Sequence, residues 1–206
     1  MNIHKSAVSV VVLASLLAAC AQIPPAQQAN YEGNVAYYSH RYDDALANFE
    51  RSLAVAEKNG DKQYAAIAMF GMARTYAQLC QESNAEKWFK QSISAREALP
   101  DIRHAHITQN LLEYGRFLAS WSRKSEAVNL YDRAMPLLES LGMEKEDPLG
   151  YALVFDEYEA LLTSTGRASD ASVAKTRAKT LRETYKGRTA QFKPEPYPNC
   201  NQGARK

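Results

Sequence analysis

The stretch Ala45-Leu-Ala-Asn-Phe-Glu-Arg-Ser52 recurs along the chain at a nearly constant spacing. Its pattern, Ala-x-x-x-aromatic-x-x-small, returns over residues 85–92 and 127–134, and a weaker copy covers residues 171–178. The repeating alanines lie 40, 42 and 44 residues apart. A repeat of this length predicts stacked helical hairpins, because one hairpin cannot bury its own apolar face.

A second small position accompanies the repeat. Gly33, Ala73 and Gly115 stand twelve residues before the repeating Ala, and only Glu159 breaks this pattern. Small residues let two helices approach closely, and the aromatic side chain fills the space between neighbouring hairpins. The pattern resembles the tetratricopeptide signature over roughly residues 30–187, in a variant whose period is about 42 residues instead of 34. The alternative is a helical bundle without true repeats.

The resemblance implies an all-α fold, a right-handed superhelical array of about four helical hairpins. The sequence predicts eight helices, near residues 28–40, 42–58, 61–80, 83–98, 102–121, 124–141, 148–165 and 168–187. Gly60 with Asp61, and Asp147 with Pro148, are the residue types that end and begin helices. No stretch alternates apolar and polar residues, so no sheet is expected. The last helix is basic, which is typical of a capping repeat.

The first residues have the composition of an export signal. Residues 7–17 are apolar, but this segment is shorter than the roughly 20 residues that a membrane-spanning helix needs. Leu17-Ala-Ala-Cys20 resembles the lipobox of bacterial lipoproteins, in which the Cys is acylated and becomes the mature N-terminus. A membrane helix and a chance cysteine are the alternatives.

The lipobox resemblance implies a division of the chain and a location. A signal peptide covers residues 1–19, the acylated Cys20 and a linker cover 20–29, the repeat domain covers 30–187, and an extended basic tail covers 188–206. Ala21 stands where an Asp commonly signals retention at the inner membrane. We therefore expect a lipid-anchored protein on the periplasmic face of the outer membrane.

In tetratricopeptide arrays the first helix of each pair lines a groove that binds peptides. The positions that match the family's groove are Asn34, Tyr37, Tyr38, Phe70, Arg74, Gln78, Gln109, Leu112, Arg116 and Asp156. Arg74 and Arg116 occupy equivalent places in adjacent repeats, and two neighbouring guanidinium groups suit a peptide carboxylate. In the alternative, both arginines pair internally, for example with Glu113 or Asp156.

Two more cysteines, Cys80 and Cys200, remain in the predicted mature chain. An oxidising periplasm favours a disulfide between two such thiols. Pro occupies every second position over residues 194–198, so the tail is expected to be extended, and 13 extended residues can span roughly 40 Å. A bridge would lay the tail over the groove. The alternative is a buried Cys80 and a free Cys200.

Charge and motifs exclude several classes of function. The net charge of +2 argues against a nucleic-acid binder. Residues 20–166 carry a balance of −6 and residues 167–206 one of +7, so the basic end could contact anionic lipid, an acidic partner or another copy, or be a solvated cap. The sequence contains no familiar catalytic or metal-binding motif, so we expect no metal or cofactor.

The sequence therefore predicts a lipid-anchored periplasmic scaffold and not an enzyme. It would bind an envelope protein or peptide in its groove during the assembly or regulation of a cell-envelope complex, such as pilus, secretion or peptidoglycan machinery. Two other classes stay open. One is a structural subunit that self-associates, and the other is an enzyme whose site the sequence does not reveal.

Overall fold

Each copy of the repeat lies on the second helix of a helical pair. The computed structural model describes residues 23–100 and 104–200. Within these ranges all regular secondary structure is helical, and the helices are α1 (Pro25–Tyr38), α2 (Tyr42–Lys58), α3 (Lys62–Gln78), α4 (Glu82–Glu97), α5 (His104–Ser120), α6 (Lys124–Ser140), α7 (Met143–Glu146), α8 (Pro148–Ser164) and α9 (Ala168–Thr184). The pairs are α1 with α2, α3 with α4, α5 with α6, and α8 with α9. This arrangement confirms the predicted array of helical hairpins.

The repeating Ala and the aromatic residue of the first three pairs are fully buried between helices. The Phe49 ring lies directly on Gly33 of α1 and Gly71 of α3, where a Cβ atom would come within 2.7 and 2.5 Å of ring carbons. The third pair repeats the contact, with the Tyr131 ring 2.7 Å from a Cβ built at Gly115. The missing side chains thus set how closely the hairpins approach.

Two predicted helix boundaries depend on specific residue types. Gly60 has a φ of +69°, a left-handed conformation that ends α2, and Asp61 caps α3. Asp147 caps α8 ahead of Pro148. Both aspartates accept a hydrogen bond of 3.0 Å from the backbone N–H three residues later. Both boundaries are therefore confirmed.

The N-terminal boundary differs from the prediction. α1 begins at Pro25, so residues 25–29 are helical and the linker predicted over 20–29 is wrong in its second half. Ala26 and Ala29 are buried there, and the Ala26 carbonyl accepts a 2.8 Å hydrogen bond from Ser52 of α2. Packing against α2 therefore stabilises these turns, which a polar run of Gln and Ala does not predict.

Two other differences concern short segments. α3 ends at Gln78, two residues before its predicted end, because Cys80 adopts a left-handed φ of +58°. α7 is absent from the prediction, since four residues are too few to show a helical period. The predicted signal peptide and Cys20 lie outside the described residues. Among the described helices, none is both long and apolar enough to span a membrane.

α9 closes the C-terminal end of the array. Its apolar side is buried on α8 through Ala171, Ala174, Ala178 and Leu181. Arg177 lies 2.6 Å from the Glu144 carboxylate, and Arg182 pairs with Asp156. The basic charge of this end is thus partly neutralised by acidic residues of the body.

Candidate functional site

The chain after α9 turns back along the groove face, which we define as the surface formed by α1, α3, α5 and α8. Arg188 donates two hydrogen bonds of 3.1 Å to backbone carbonyls of residues 145 and 146. The Asp147 carboxylate accepts from the backbone N–H groups of Gln191 and Phe192 at 3.1 and 2.8 Å. The carboxylate that caps α8 therefore also fixes the start of the tail, residues 188–200.

The middle of the tail contacts α5 and α3. The Tyr197 hydroxyl donates a 2.7 Å hydrogen bond to Glu113, and its ring meets Phe117 edge-on at 6.3 Å between centroids. Gln78 of α3 donates to the Pro196 carbonyl at 3.4 Å. Burial, and secondly the charge of Glu113, raises the pKa of Tyr197 well above its usual range, so this phenol stays neutral.

The end of the tail is covalently attached to α3. A disulfide joins Cys80 to Cys200, which are 120 residues apart in sequence. Cys80 is exposed, unlike the buried Cys80 of the alternative with two free thiols. The tail therefore crosses the groove face from the start of α8 to the end of α3.

Arg116 of α5 is held between carboxylates. Its Nε and Nη2 donate to Glu157 of α8 at 2.8–3.1 Å, and its Nη1 donates to Glu113 at 2.8 Å. Phe192 of the tail covers the guanidinium, with Cζ 5.2 Å from the ring centroid. Burial would lower the pKa of Arg116, but the hydrogen bonds and charges of the carboxylates raise it, so the group stays charged. Arg116 is thus paired internally.

Arg74 of α3 is also buried, but its partners are neutral. Nη2 donates to Asn34 Oδ1 at 2.9 Å, and Nη1 donates to the Tyr38 hydroxyl at 3.4 Å. Cζ lies 4.5 Å from the Tyr37 ring centroid and 4.9 Å from that of Phe70. Within the described chain, Nε has no hydrogen-bond partner and no carboxylate forms an ion pair with Arg74. Arg74 is therefore a buried cation that is stabilised by neutral acceptors and aromatic rings.

The tail leaves two cavities between α5 and α8. One, of about 370 Å³, is bordered by Pro194, Pro196 and Tyr197. The other, of about 220 Å³, is bordered by Phe192. Arg116 lines both cavities and stands between them. The groove face over the third and fourth pairs is therefore largely occupied by the chain itself.

The structure brings most of the predicted groove residues together in two clusters. The cluster on α1 and α3 contains Asn34, Tyr37, Tyr38, Phe70, Arg74 and Gln78. Gln109, Leu112 and Arg116 of α5 line the smaller cavity. Asp156 belongs to neither cluster and pairs with Arg182 of α9. One residue further along a helix is a turn of about 100°, so Glu157 faces Arg116 while Asp156 faces Arg182 of α9.

Sequence reasoning missed Glu157 and the tail side chains Phe192 and Tyr197. A signal for Glu157 was available, because side chains about one repeat apart meet repeatedly on this face. Arg116 and Glu157 are 41 residues apart, and Arg74 and Asn34 are 40 apart. The tail offers no such signal, since it lies outside the repeat.

Comparison with known proteins agrees with this geometry. Residues 27–98 match the tetratricopeptide repeat family. The helical pairs described above also resemble a solved structure, the crystal structure of BtubC (BKLC) from P. vanneervenii, with a TM-score of 0.71 and 18% sequence identity over 84% of this chain and 69% of that chain. At this identity the likeness shows the fold alone. No curated protein matches the chain in sequence.

Proposed function

We propose that this chain is a lipid-anchored scaffold that binds a protein partner and holds it at the cell envelope. Tetratricopeptide repeats support a role in protein–protein interaction. The observation that carries the proposal is that the groove face holds an extended peptide segment, the tail, through side-chain contacts with Glu113, Arg116 and Gln78. A surface that binds one extended segment in this way has the chemistry to bind another.

The partner would contact the part of the groove face that the tail leaves open. Tyr31, Val35 and Tyr38 lie along one side of α1 at helical spacing, and their exposed fractions are 64%, 43% and 64%. Large apolar residues grouped on an exposed surface are typical of interaction sites. Tyr38 also accepts a hydrogen bond from the buried Arg74.

Site-specific photo-crosslinking in intact cells tests this interaction. We expect a crosslinker placed at Val35 or Tyr38 to capture the same envelope protein. Val173 of α9, which is 67% exposed, is the matched control position and should not capture it. Equal capture from α1 and from Val173 would contradict the proposal.

The anchor and the location are part of the same proposal. The Leu-Ala-Ala-Cys sequence ending at Cys20 supports acylation, and the proposed site is the periplasmic face of the outer membrane, where the protein would serve assembly or regulation of an envelope complex. We expect Cys20→Ser to abolish labelling by radioactive palmitate and to move the protein out of the outer-membrane fraction. Unchanged labelling would exclude Cys20 as the acylation site.

The alternative of a self-associating subunit has less support. It depended on a basic C-terminal end that meets an acidic face of another copy. Arg177 and Arg182 instead pair with acidic residues of the same chain. We propose no reaction for this protein.

A further inference from the structure

Tyr197 fills a pocket between α3 and α5 that has the features of a built binding site. Its hydroxyl donates to Glu113, a carboxylate that is itself buried and is held in place by Arg116 at 2.8 Å. Its ring packs against Phe117 and the larger hydrophobic core. The pocket therefore offers an apolar wall for a ring and one acceptor at the depth of a phenol hydroxyl.

The residues on either side of Tyr197 make long polar contacts with α3 and with His40. Pro196 and Pro198 lack a backbone N–H, so only alternate residues of this stretch offer a backbone donor. Beside the anchor, Gln78 donates a 3.4 Å hydrogen bond to the Pro196 carbonyl, and the Glu195 carboxylate lies 3.9 Å from His40 Nδ1. Recognition here depends on one side chain, a tyrosine, presented by an extended and proline-flanked backbone.

The covalent tether adds to the non-covalent contacts that hold the tail. Cys200 lies three residues beyond Tyr197 and is bonded to Cys80 at the end of α3. A tether this short keeps the tyrosine beside its pocket at an effective concentration in the millimolar range or above. While the bond is intact, a free segment with the same chemistry competes poorly.

We infer that the Tyr197 pocket is a binding site for a tyrosine in an extended, proline-flanked segment of a partner protein, and that the Cys80–Cys200 disulfide controls access to it. This inference rests on the proposed scaffold function and names the partner's chemistry. The tail is the ligand that occupies the site in the oxidised chain. Reduction releases it and lets a partner segment bind.

The release step uses an external dithiol. One of its thiolates attacks a sulfur of the Cys80–Cys200 bond, forming a mixed disulfide and expelling the other cysteine as a thiolate. The second thiol of the reductant then resolves the mixed disulfide. Two electrons pass from the dithiol to the protein, both cysteines end as thiols, and the reductant ends as a disulfide.

A fluorescent peptide with the sequence of residues 191–199 tests the inference on the full purified chain. We expect fluorescence anisotropy to detect binding to the protein reduced with dithiothreitol and to Cys200→Ser, and at least about tenfold weaker binding to the oxidised protein. Cys200→Ser combined with Tyr197→Ala should bind more tightly still, because the competing side chain is gone. Circular dichroism checks that each form is folded, and the reduced wild type needs no substitution at all.

The matched control is the same peptide with Tyr197→Ala. Truncating a partly buried tyrosine anchor should weaken binding roughly tenfold or more, and Tyr197→Phe in the peptide should give an intermediate loss. Equal binding by the Tyr and Ala peptides, equal binding to oxidised and reduced protein, or no binding to the folded variants would overturn the inference. A concentration-dependent dimer of Cys200→Ser would assign the site to a second copy and overturn the partner assignment.

This experiment and the crosslinking experiment fail independently. The peptide assay uses purified protein and probes the pocket under the tail, whereas crosslinking probes α1 in cells. Peptide binding without a crosslinked protein would reject the scaffold function and keep the pocket. A crosslinked protein without peptide binding would keep the scaffold function and reject the pocket as a binding site.

Discussion

At the residue scale, the Phe49 ring leaves no room for a Cβ atom on the glycines that it touches. A Cβ at Gly71 would lie 2.5 Å from ring carbons. Replacing Gly by Ala within a helix ordinarily stabilises it by roughly 0.5–1 kcal/mol. We expect Gly71→Ala to lower the free energy of unfolding instead, by about 1–3 kcal/mol, because the core becomes overpacked. Urea denaturation measures the change.

A smaller side chain at position 49 provides the control for this effect. Phe49→Ala removes the ring atoms that would clash, so Gly71→Ala should cost less in the Phe49→Ala background than in the wild type. Additive losses would show that the clash is not the cause.

The two buried arginines have different electrostatic surroundings, so equivalent substitutions should have unequal effects. Arg116→Met would strand the carboxylates of Glu113 and Glu157, and we expect it to lower the free energy of unfolding by about 3–5 kcal/mol. Arg74→Met strands no acidic partner among the described residues and should change the free energy by less than about 1 kcal/mol. Chemical denaturation of both variants measures these free energies of unfolding. Equal losses in the two variants would contradict the difference in electrostatic surroundings.

At the scale of elements, one carboxylate joins α8 to the tail. Asp147 accepts from the first turn of α8 and from two backbone N–H groups of the tail. Asp61 caps α3 with the same 3.0 Å geometry and has no tail contact. Replacing either by Ala should cost about 1 kcal/mol through the lost cap.

Amide hydrogen exchange distinguishes the two caps. Only Asp147→Ala should accelerate exchange at Gln191 and Phe192, because these amides lose their acceptor. Unchanged exchange at both amides in Asp147→Ala would show that the disulfide alone holds the tail.

An ion pair connects two neighbouring helical pairs, and its contribution to stability should depend on pH. Arg123, just before α6, donates to Glu86 of α4 at 2.6 Å. Hydrogen bonds from Arg123, chiefly, lower the pKa of Glu86 to about 2. Since the folded pKa lies below the unfolded one, this stabilisation is present above about pH 4.5 and is lost as the pH falls towards 2.

The comparison with Glu86→Gln measures that contribution. We expect the free energy of unfolding of the wild type to exceed that of the variant by no more than about 1 kcal/mol at pH 7, because Glu86 is partly exposed. The difference should shrink as the pH falls from about 4.5 to 2. A difference that stays constant in urea denaturation over this range would contradict the assignment.

At the scale of the whole molecule, the disulfide connects segments 120 residues apart. Closing a loop of this size restricts the unfolded chain and can stabilise the fold by up to about 5 kcal/mol. We expect dithiothreitol to lower the urea midpoint and to leave the helical circular dichroism signal in place, since both cysteines lie outside the α-helices α1–α9. The urea midpoint of Cys80→Ser should equal that of the reduced wild type and should not change when dithiothreitol is added. A midpoint that reduction leaves unchanged would contradict this expectation.

The net charges of the two parts of the sequence do not describe the surface charge of the folded protein. The −6 of residues 20–166 and the +7 of residues 167–206 suggest two oppositely charged surfaces. In the structure, Arg177 and Arg182 pair with body carboxylates, and Arg188 binds backbone carbonyls. Several of the basic side chains that cause this asymmetry therefore have partners within the molecule.

The sequence by itself determined the repeat, the helical pairs and most helix boundaries. These features follow from short-range chemistry: small residues where helices touch, aspartates at caps, and glycines in left-handed turns. It also suggested that Arg74 and Arg116 are equivalent. Only the tertiary structure decided that Arg116 is paired with Glu157 and Glu113 while Arg74 has neutral partners, because one residue of helical rotation separates Glu157 from Asp156. The tertiary structure also decided where the tail lies. Its proline-rich sequence has no period to match, and its contacts with Glu113 and Cys80 depend on packing between segments 84 and 120 residues apart.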